Sequence, residues 1–437
     1  MINIAIIGSG PSGCYIADML SKKVADAQVD IFDRLPTPFG LVRAGVAPDH
    51  QGTKNIVRQF ERTFSRDNVR FVGNVNIGDD ITYQELKDQY DVIAVTIGAL
   101  QDRDLDIDGE DLNGVYGSGA FVAWYNGHPD HADLNPKLDS SGIAIIGNGN
   151  VALDISRILA KTTEEMGSSD ITADSVAAIA ESPVQDIYLI GRRGPVEASF
   201  TNAELSEFAE LERCVALVDP AQLPAALPDD FDPKAAKAVE KNLETLRGYA
   251  ENAADSKPVR LHIMFCASPT AILGENGTVT GLRLEKNQIT DGRATGTGET
   301  FDLDVQTVIS AIGYRSQSIE GMPFDEGRGI VSNEDGRVED GVYTSGWCKR
   351  GPQGVIPANR ADSMGVAKQI IADLEANTPT GDKAGFSKIA ALLDERNVRT
   401  VAFSDWQTIN EAEVSRAEGD KPREKFNRIP EMLALLD

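Results

Sequence analysis

Short, uninterrupted apolar runs punctuate this chain, and several end at a glycine. Ile4-Ala5-Ile6-Ile7 runs into Gly8, and Ile143-Ala144-Ile145-Ile146 into Gly147. Val29-Asp30-Ile31-Phe32, residues 91–96, Asp186–Ile190 and residues 305–314 are also mainly apolar, with a few polar positions. Runs of this length, closed by turn residues and alternating with helical stretches, predict strands in βαβ units. Residues 341–347 read as a strand and turn, with a helix opening near Gly354-Val355-Ile356. Residues 162–185 predict an acidic, Ala/Ser-rich helical insert. Residues 220–256 predict a partly helical segment, and 381–437 helices on the surface.

Two of the runs lead into glycine fingerprints, Gly8-Ser9-Gly10-Pro11-Ser12-Gly13 and Gly147-Asn148-Gly149-Asn150-Val151-Ala152. The first glycine of each makes the tight turn, the second lets backbone approach a pyrophosphate, and the third position lets helix pack on strand. The helix N-terminus then offers free N–H groups to phosphate. One such match is weak; two in the same strand–turn–helix setting predict a chain that holds two dinucleotides. The strands downstream of the two fingerprints end differently. Asp33 closes the next strand 20 residues beyond Gly13, where a carboxylate accepts from ribose hydroxyls and excludes a 2′-phosphate, which suits FAD or NAD. The comparable strand of the second unit ends in Gly191-Arg192-Arg193-Gly194. Two guanidinium groups there suit the 2′-phosphate of NADP; the alternative is a solvated strand end. The expected fold is α/β, two Rossmann-like domains, with FAD on 1–100 and 321–437 and NADP(H) on an inserted 101–320. Gly98, at the tip of the strand 91–96, lets a ligand lie against backbone, and the long Pro/Gly-rich loop 35–50 reads as functional.

Composition narrows the partners. The 437-residue chain has a formal charge of −26, which argues against nucleic acid and anionic membrane. No stretch approaches the roughly 20 apolar residues of a membrane span. The first strand begins almost at Met1, leaving no room for a signal or transit segment, so a cytoplasmic protein is expected. Cys14, Cys214, Cys266 and Cys348 form neither a redox pair nor a cluster-binding spacing, and no metal site is expected. Cys14 lies in the first turn of a helix, where the dipole could lower its pKa, but a small buried packing residue is the plainer reading.

Longer strings carry a family resemblance. Pro38-Phe39-Gly40-Leu41-Val42-Arg43, Gly45-Val46-Ala47-Pro48-Asp49-His50, Gly147-Asn148-Gly149-Asn150-Val151-Ala152-Leu153-Asp154, Gly191-Arg192-Arg193-Gly194 and Gly346-Trp347-Cys348-Lys349-Arg350-Gly351-Pro352 with Gly354-Val355-Ile356 occur in order. The chain resembles, nearly end to end, the adrenodoxin reductase family and its bacterial ferredoxin–NADP reductases. The resemblance implies the three-layer ββα architecture of the glutathione-reductase-like superfamily. It implies hydride transfer from NADPH to bound FAD, then single-electron transfer to an iron–sulfur ferredoxin that feeds a monooxygenase or other acceptor. It implies FAD contacts at Gly8, Gly10, Pro11, Gly13, Asp33, Gly40, Leu41, Val46, Gly98, Trp347, Gly354, Val355 and Ile356. For NADP it implies Gly147, Asn148, Gly149, Asn150, Val151, Arg192, Arg193, Glu204 and Gly354. His50 and Glu207 resemble the family's pair near the flavin, acting in proton transfer or nicotinamide placement; a hydrogen-bonded structural histidine is the alternative for His50. Trp347 packs near a cofactor or is an ordinary core tryptophan. Asp33 stands where the family often has glutamate, and Cys348 and Pro357 are departures that bear on redox tuning.

An acidic ferredoxin needs a local basic patch on so acidic a protein. Lys54, Arg58, Arg62 and Arg66 recur at i, i+4 spacing, and Lys234, Lys237 and Lys241, with Arg247, recur in the middle domain. The resemblance favours the second set, and a monomer. Each set could equally be a solvated helix face. Rival readings are a flavin monooxygenase, whose signature strings are missing, and the electron-input subunit of a larger complex, whose N-terminal cluster cysteines are missing.

Overall fold

The computed structural model describes residues 1–227, 231–354 and 356–437. The chain divides into two units. The first comprises Met1–Gln101, Asn126–Ala132 and Tyr314–Asp437, and the second Asp102–Tyr125 and Asp133–Gly313.

The first unit is built on a six-stranded sheet in the order Arg337–Glu339, Val342–Thr344, Val92–Val95, Ile2–Ile7, Ala27–Phe32, Val69–Val72. All its pairings are parallel except that of Arg337–Glu339 with Val342–Thr344. Its central strands are largely apolar because both faces are covered, with Asp30 buried among them on Tyr90 and Arg70. On one face lie the helices Pro11–Lys23, Val57–Phe64 and Ile356–Ala376. On the other lie Tyr83–Gln89 and Phe386–Glu395 and the short hairpin of Phe324–Asp325 with Ile330–Val331. The C-terminal stretch is less superficial than its polar sequence predicts. Trp406 and Ile409 of the helix Phe403–Ser415, and Met432, are core residues, and Glu413 is fully buried.

No pattern in the sequence separates Asn126–Ala132 from its neighbours, yet it belongs to the first unit. Buried Asn126 accepts hydrogen bonds from two buried lysines, Lys54 through its side chain at 3.1 Å and Lys425 through its carbonyl at 3.0 Å. Asp130 takes a two-pronged contact from Arg34.

The second unit has an all-parallel six-stranded sheet in the order Val115–Gly117, Thr307–Ser310, Gly142–Ile146, Asp186–Ile190, Val259–Met264, Cys214–Val218. Helices Ser118–Tyr125, Asn150–Ala160, Ala173–Glu181 and Pro233–Ala250 cover one face. A three-stranded antiparallel sheet, Ala267–Glu275, Thr278–Thr290 and Arg293–Leu303, covers part of the other. This is the helix–sheet–sheet layering expected from the family resemblance. The predicted insert 162–185 shrinks to the helix Ala173–Glu181; the turns before it bury Ser169, Asp170 and Thr172.

The first basic set does not form a helix face. Asn55 and Ile56 separate the single turn Gln51–Lys54 from the helix Val57–Phe64. Lys54 turns inward, and Arg66 lies past the helix end on Asp18 at 2.5 Å, leaving Arg58 and Arg62 exposed. The i, i+4 spacing assumed one continuous helix, and the chain breaks it to bury a lysine.

Candidate functional site

In the first unit the fingerprint turn is sterically demanding. Gly8 has φ +100°, and a Cβ there would lie 2.7 Å from the Thr96 carbonyl; one on Gly13 would lie 2.1 Å from the Gly8 carbonyl. Any side chain at either position drives strand and helix apart. Gly10 is different. It caps the helix Pro11–Lys23 without a side-chain cap bond, and among the described residues nothing lies within 4 Å of where its Cβ would be. Pro11, at the first helical position, lacks an N–H to satisfy. Gly98, at φ +74°, also faces open space. Open backbone beside free N–H groups fits a pyrophosphate.

Asp33 sits at the tip of Ala27–Phe32 and folds back on the fingerprint. One oxygen accepts from Ser9 N (3.0 Å) and Ser9 Oγ (2.5 Å), the other from Leu35 N (3.0 Å). It therefore braces the turn as well as keeping acceptor capacity for a ribose. The adjoining loop is ordered against the same turn. Phe39 N donates to Ser9 O at 3.2 Å, and a Cβ on Gly40 would sit 3.0 Å from Gly10 Cα. Phe39 accepts a left-handed φ of +83° to place its ring among Phe60, Phe64 and Trp406. Leu41–Ala44 makes one helical turn, with Val46 N bonded to Leu41 O. Arg43 leaves the loop to grip Glu413 through two contacts, at 2.8 and 2.5 Å. His50, half-buried, caps the turn Gln51–Lys54 by accepting from Thr53 N and Lys54 N at its carbonyl.

The last motif is organised by a residue that its sequence does not announce. Asp362, on the second turn of Ile356–Ala376, accepts from Gly346 N (2.7 Å), Ser345 Oγ (2.8 Å) and Lys349 Nζ (2.9 Å). Burial alone would raise its carboxyl, but these donors outweigh burial and hold it below the usual carboxylate range. Gly346, at φ +80°, packs so tightly that a Cβ would lie 2.3 Å from Ser12 Oγ. Trp347 is half-buried and stacks on Tyr314, with centroids 6.2 Å apart, and its Nε1 reaches the Gly354 carbonyl. It is not a closed-in core tryptophan. Gly354 has φ +80°, Ile356 opens the helix, and Val355 falls outside the described residues. Cys348 and Cys14 are wholly buried, and burial pushes both thiols up. The dipole at Cys14 loses to desolvation, and the packing reading stands.

In the second unit Gly147, at φ +142°, would place a Cβ 2.3 Å from the Ala311 carbonyl, and Gly149 caps the helix Asn150–Ala160 with no side-chain cap bond among the described residues. Asn148 wedges against the end of the neighbouring strand Asp186–Ile190, since a Cβ on Gly191 would meet its Nδ2 at 2.5 Å. Its Oδ1 is buried without a partner among the described residues. An orphaned acceptor inside the fingerprint turn fits a site that a donor-bearing ligand completes. Asn150 bonds within the protein, its Oδ1 accepting from Thr201 N at 2.8 Å, and Val151 behind it is half-buried. Arg192 and Arg193 both stand exposed just past the strand Asp186–Ile190.

Glu204 and Glu207 lie one turn apart, in Asn202–Ser206 and the 3₁₀ turn after it. A wholly buried guanidinium holds them. Arg157 reaches Asp154 at 2.9 Å, Glu204 at 3.4 Å and Glu207 at 3.1 Å. Its signal in the sequence is an Asp154–Arg157 pair set among the apolar residues of one helix. His50 lies in the first unit and Glu207 in the second.

A family model described as pyridine nucleotide-disulphide oxidoreductase matches residues 2–361. The mitochondrial NADPH:adrenodoxin oxidoreductases of Arabidopsis thaliana and Bos taurus are each 40% identical to this chain over 99% of it, and 95% and 92% of those proteins are covered. The chain belongs to the adrenodoxin reductase family. The family's bacterial branch is similar too: NADPH-ferredoxin reductase FprA of Mycobacterium leprae is 38% identical over 99% of this chain and 98% of its own. The solved structure of Mycobacterium tuberculosis FprA in complex with NADPH superposes with a TM-score of 0.94 at 36% identity, covering 100% of this chain and 99% of that one. Like the sequence pattern, the four free cysteines set this member apart from the disulphide chemistry in the family model's name: three are buried and Cys266 is half-buried.

Proposed function

We propose that this protein is an FAD-dependent NADPH–ferredoxin oxidoreductase. When bound, FAD would supply the conversion between the two-electron hydride of NADPH and the single electrons an iron–sulfur protein takes. The first unit holds FAD and the second NADP(H). The observation that carries this reading is the contrast between two similar turns, one closed by a carboxylate at Asp33 and the other by paired arginines at Arg192 and Arg193.

The chain's own groups have distinct tasks. Gly8, Gly10, Pro11 and Gly13 present backbone to the FAD pyrophosphate, and Asp33 accepts from its ribose. Gly40, Leu41, Val46, Gly98, Gly354 and Ile356 flank the flavin, with Trp347 near the flavin or the nicotinamide. Gly147, Asn148, Gly149, Asn150 and Val151 take the NADP pyrophosphate, and Gly354 contacts the nucleotide as well. Glu204 contacts the nicotinamide ribose or amide. His50 and Glu207 position the reacting ring or hold a proton, and Arg157 fixes the rotamer of Glu207. The test is anaerobic stopped-flow bleaching of the flavin absorbance with NADPH and with NADH. Fast bleaching with NADPH and much slower bleaching with NADH supports the reading; equal rates remove Arg192 and Arg193 from it.

The electron acceptor docks on Lys234, Lys237 and Lys241, which share one exposed face of Pro233–Ala250. Reversing Lys237 and Lys241 to glutamate slows ferredoxin reduction roughly tenfold at low salt. It leaves NADPH-to-flavin transfer unchanged; equal loss of both rates, or of neither, refutes the docking face. Among the described residues no helix is long and apolar enough to cross a membrane. The protein works as a cytoplasmic monomer, a point that cell fractionation and light scattering check.

A further inference from the structure

The turn that carries Arg192 and Arg193 is held from behind. Three of its contacts are backbone to backbone: Gly191 N to Met264 O (2.9 Å), Ala267 N to Gly191 O (3.2 Å) and Cys266 N to Arg193 O (3.0 Å). The Arg192 carbonyl is held differently. It accepts from a side chain, Asn287 Nδ2, at 2.8 Å. Asn287 also donates to Ser268 Oγ at 2.8 Å, and its own N–H goes to the Cys266 carbonyl at 2.7 Å.

Two irregularities converge on this contact. The ladder between Thr278–Thr290 and Arg293–Leu303 slips between Glu285 and Asn287, while on the strand's other edge the Asn287 N–H to Cys266 bond continues the register with Ala267–Glu275. Cys266 itself adopts a left-handed φ of +55°, a strained conformation for a side chain with a Cβ. A bulge and a strained residue persist only where surrounding structure holds them, and they recur at functional sites.

We infer that Asn287 is a positioning residue for cofactor choice. By tying the Arg192 carbonyl to the antiparallel sheet, it holds the arginine turn in the register that presents both guanidinium groups to a 2′-phosphate. The inference rests on the reading that Arg192 and Arg193 take that phosphate. Both arginine side chains are exposed, so their ordering on binding is an entropic cost that a fixed backbone reduces. NAD carries no 2′-phosphate and makes no charge-assisted contact with these two guanidinium groups. Loss of the tie therefore weakens one nucleotide and spares the other, whereas general loosening of the fold weakens both.

The test is calorimetric titration of the FAD-loaded protein with NADP⁺ and with NAD⁺, alongside steady-state kinetics with ferricyanide as acceptor. Asn287→Ala raises the Kd for NADP⁺ roughly five- to tenfold, the size of one hydrogen bond, with NAD⁺ changed by less than about twofold. KM for NADPH rises in step while kcat at saturation holds. Asn287→Asp, equal in size, swaps the donor for a carboxylate facing the Arg192 carbonyl and shifts NADP⁺ at least as far. Ser268→Ala removes only the second partner and leaves NADP⁺ binding within about twofold. Equal weakening of both nucleotides, or no weakening, overturns the proposal. The double variant Arg192→Ala/Arg193→Ala separates the two levels. If it abolishes the NADP⁺ preference while the Asn287 variants keep it, only the role of Asn287 fails. If it keeps the preference, the phosphate reading fails and this proposal with it.

Discussion

Glu413→Gln tests how the C-terminal helix holds the loop 35–50. Glu413 is completely buried, and the Arg43 side chain is only 9% exposed. Their contacts are two-pronged, at 2.8 and 2.5 Å, the Arg43 guanidinium stands 5.0 Å over the Trp406 ring, and Phe426 N donates to Glu413 at 3.0 Å. A second cation, Arg423, lies 3.5 Å from the same carboxylate. Glutamine keeps the shape and an acceptor for Phe426 N but removes the charge, so two arginines face each other in a dry site. Removing one partner of a buried pair costs about 3–5 kcal/mol, and the retained acceptor puts Glu413→Gln near the low end, at about 3 kcal/mol. Arg43→Met leaves Glu413 with Arg423 and costs less, about 1–2 kcal/mol. The double variant Arg43→Met/Glu413→Leu, with no buried charge stranded at either position, costs less than Glu413→Gln alone. Because Arg43 lies in the loop that packs on Gly10, flavin release accompanies the loss. The assay is urea titration of the holoprotein, with flavin fluorescence reporting the first unit and the single and double variants forming a cycle. A loss under about 1 kcal/mol for Glu413→Gln, or an Arg43→Met loss at least as large, refutes the reasoning.

Burial drives the pKa of His128 from 6.5 down to about 4, so the folded protein keeps it neutral. Its stabilisation is complete above about pH 6.5 and is lost as pH falls towards 4, by on the order of 2–3 kcal/mol. His128→Asn, which can still cap Asp130 N, flattens that part of a Tm–pH curve; an unchanged slope refutes it. Arg157→Met removes the buried guanidinium that reaches Asp154, Glu204 and Glu207 and destabilises the second unit by about 3 kcal/mol, while Arg157→Lys recovers part of it, as read by urea midpoints. Asp362→Asn loses a charged acceptor at the Gly346 turn. It shifts the flavin absorbance envelope and removes a stabilisation that, in the parent, is present above about pH 4 and lost as pH falls below it; an unaltered spectrum and pH profile count against the role of Asp362.

Much of the site is local in the sequence because its demands are local. A residue that must approach within 3 Å of a neighbouring carbonyl has to be glycine, so Gly8, Gly13 and Gly147 announce themselves, and a strand tip ending in Asp33 or in Arg192-Arg193 declares its charge a few residues away. The partners that hold these groups are not local. Arg43 finds Glu413 across 370 residues, and the arginine turn finds Asn287 across 95. Such pairs leave no spacing to read.

The order of residues is enough to specify two fingerprint turns, their differing charge, the lack of a paired redox cysteine and membership of one family. Steric exclusion and charge at fixed short offsets are properties of a segment, and a segment carries them wherever it goes. Packing in three dimensions was needed to establish that Lys54 turns inward and breaks a basic helix face, that Asn126–Ala132 joins the first unit, and that Cys14 is wholly buried. It was needed, too, for Arg157 to gather three carboxylates. Each of these outcomes rests on burial, which is set by what distant elements pack on top. Burial turns a lysine into a ligand for an amide, a thiol into a packing group and an arginine into the hub of a charge cluster.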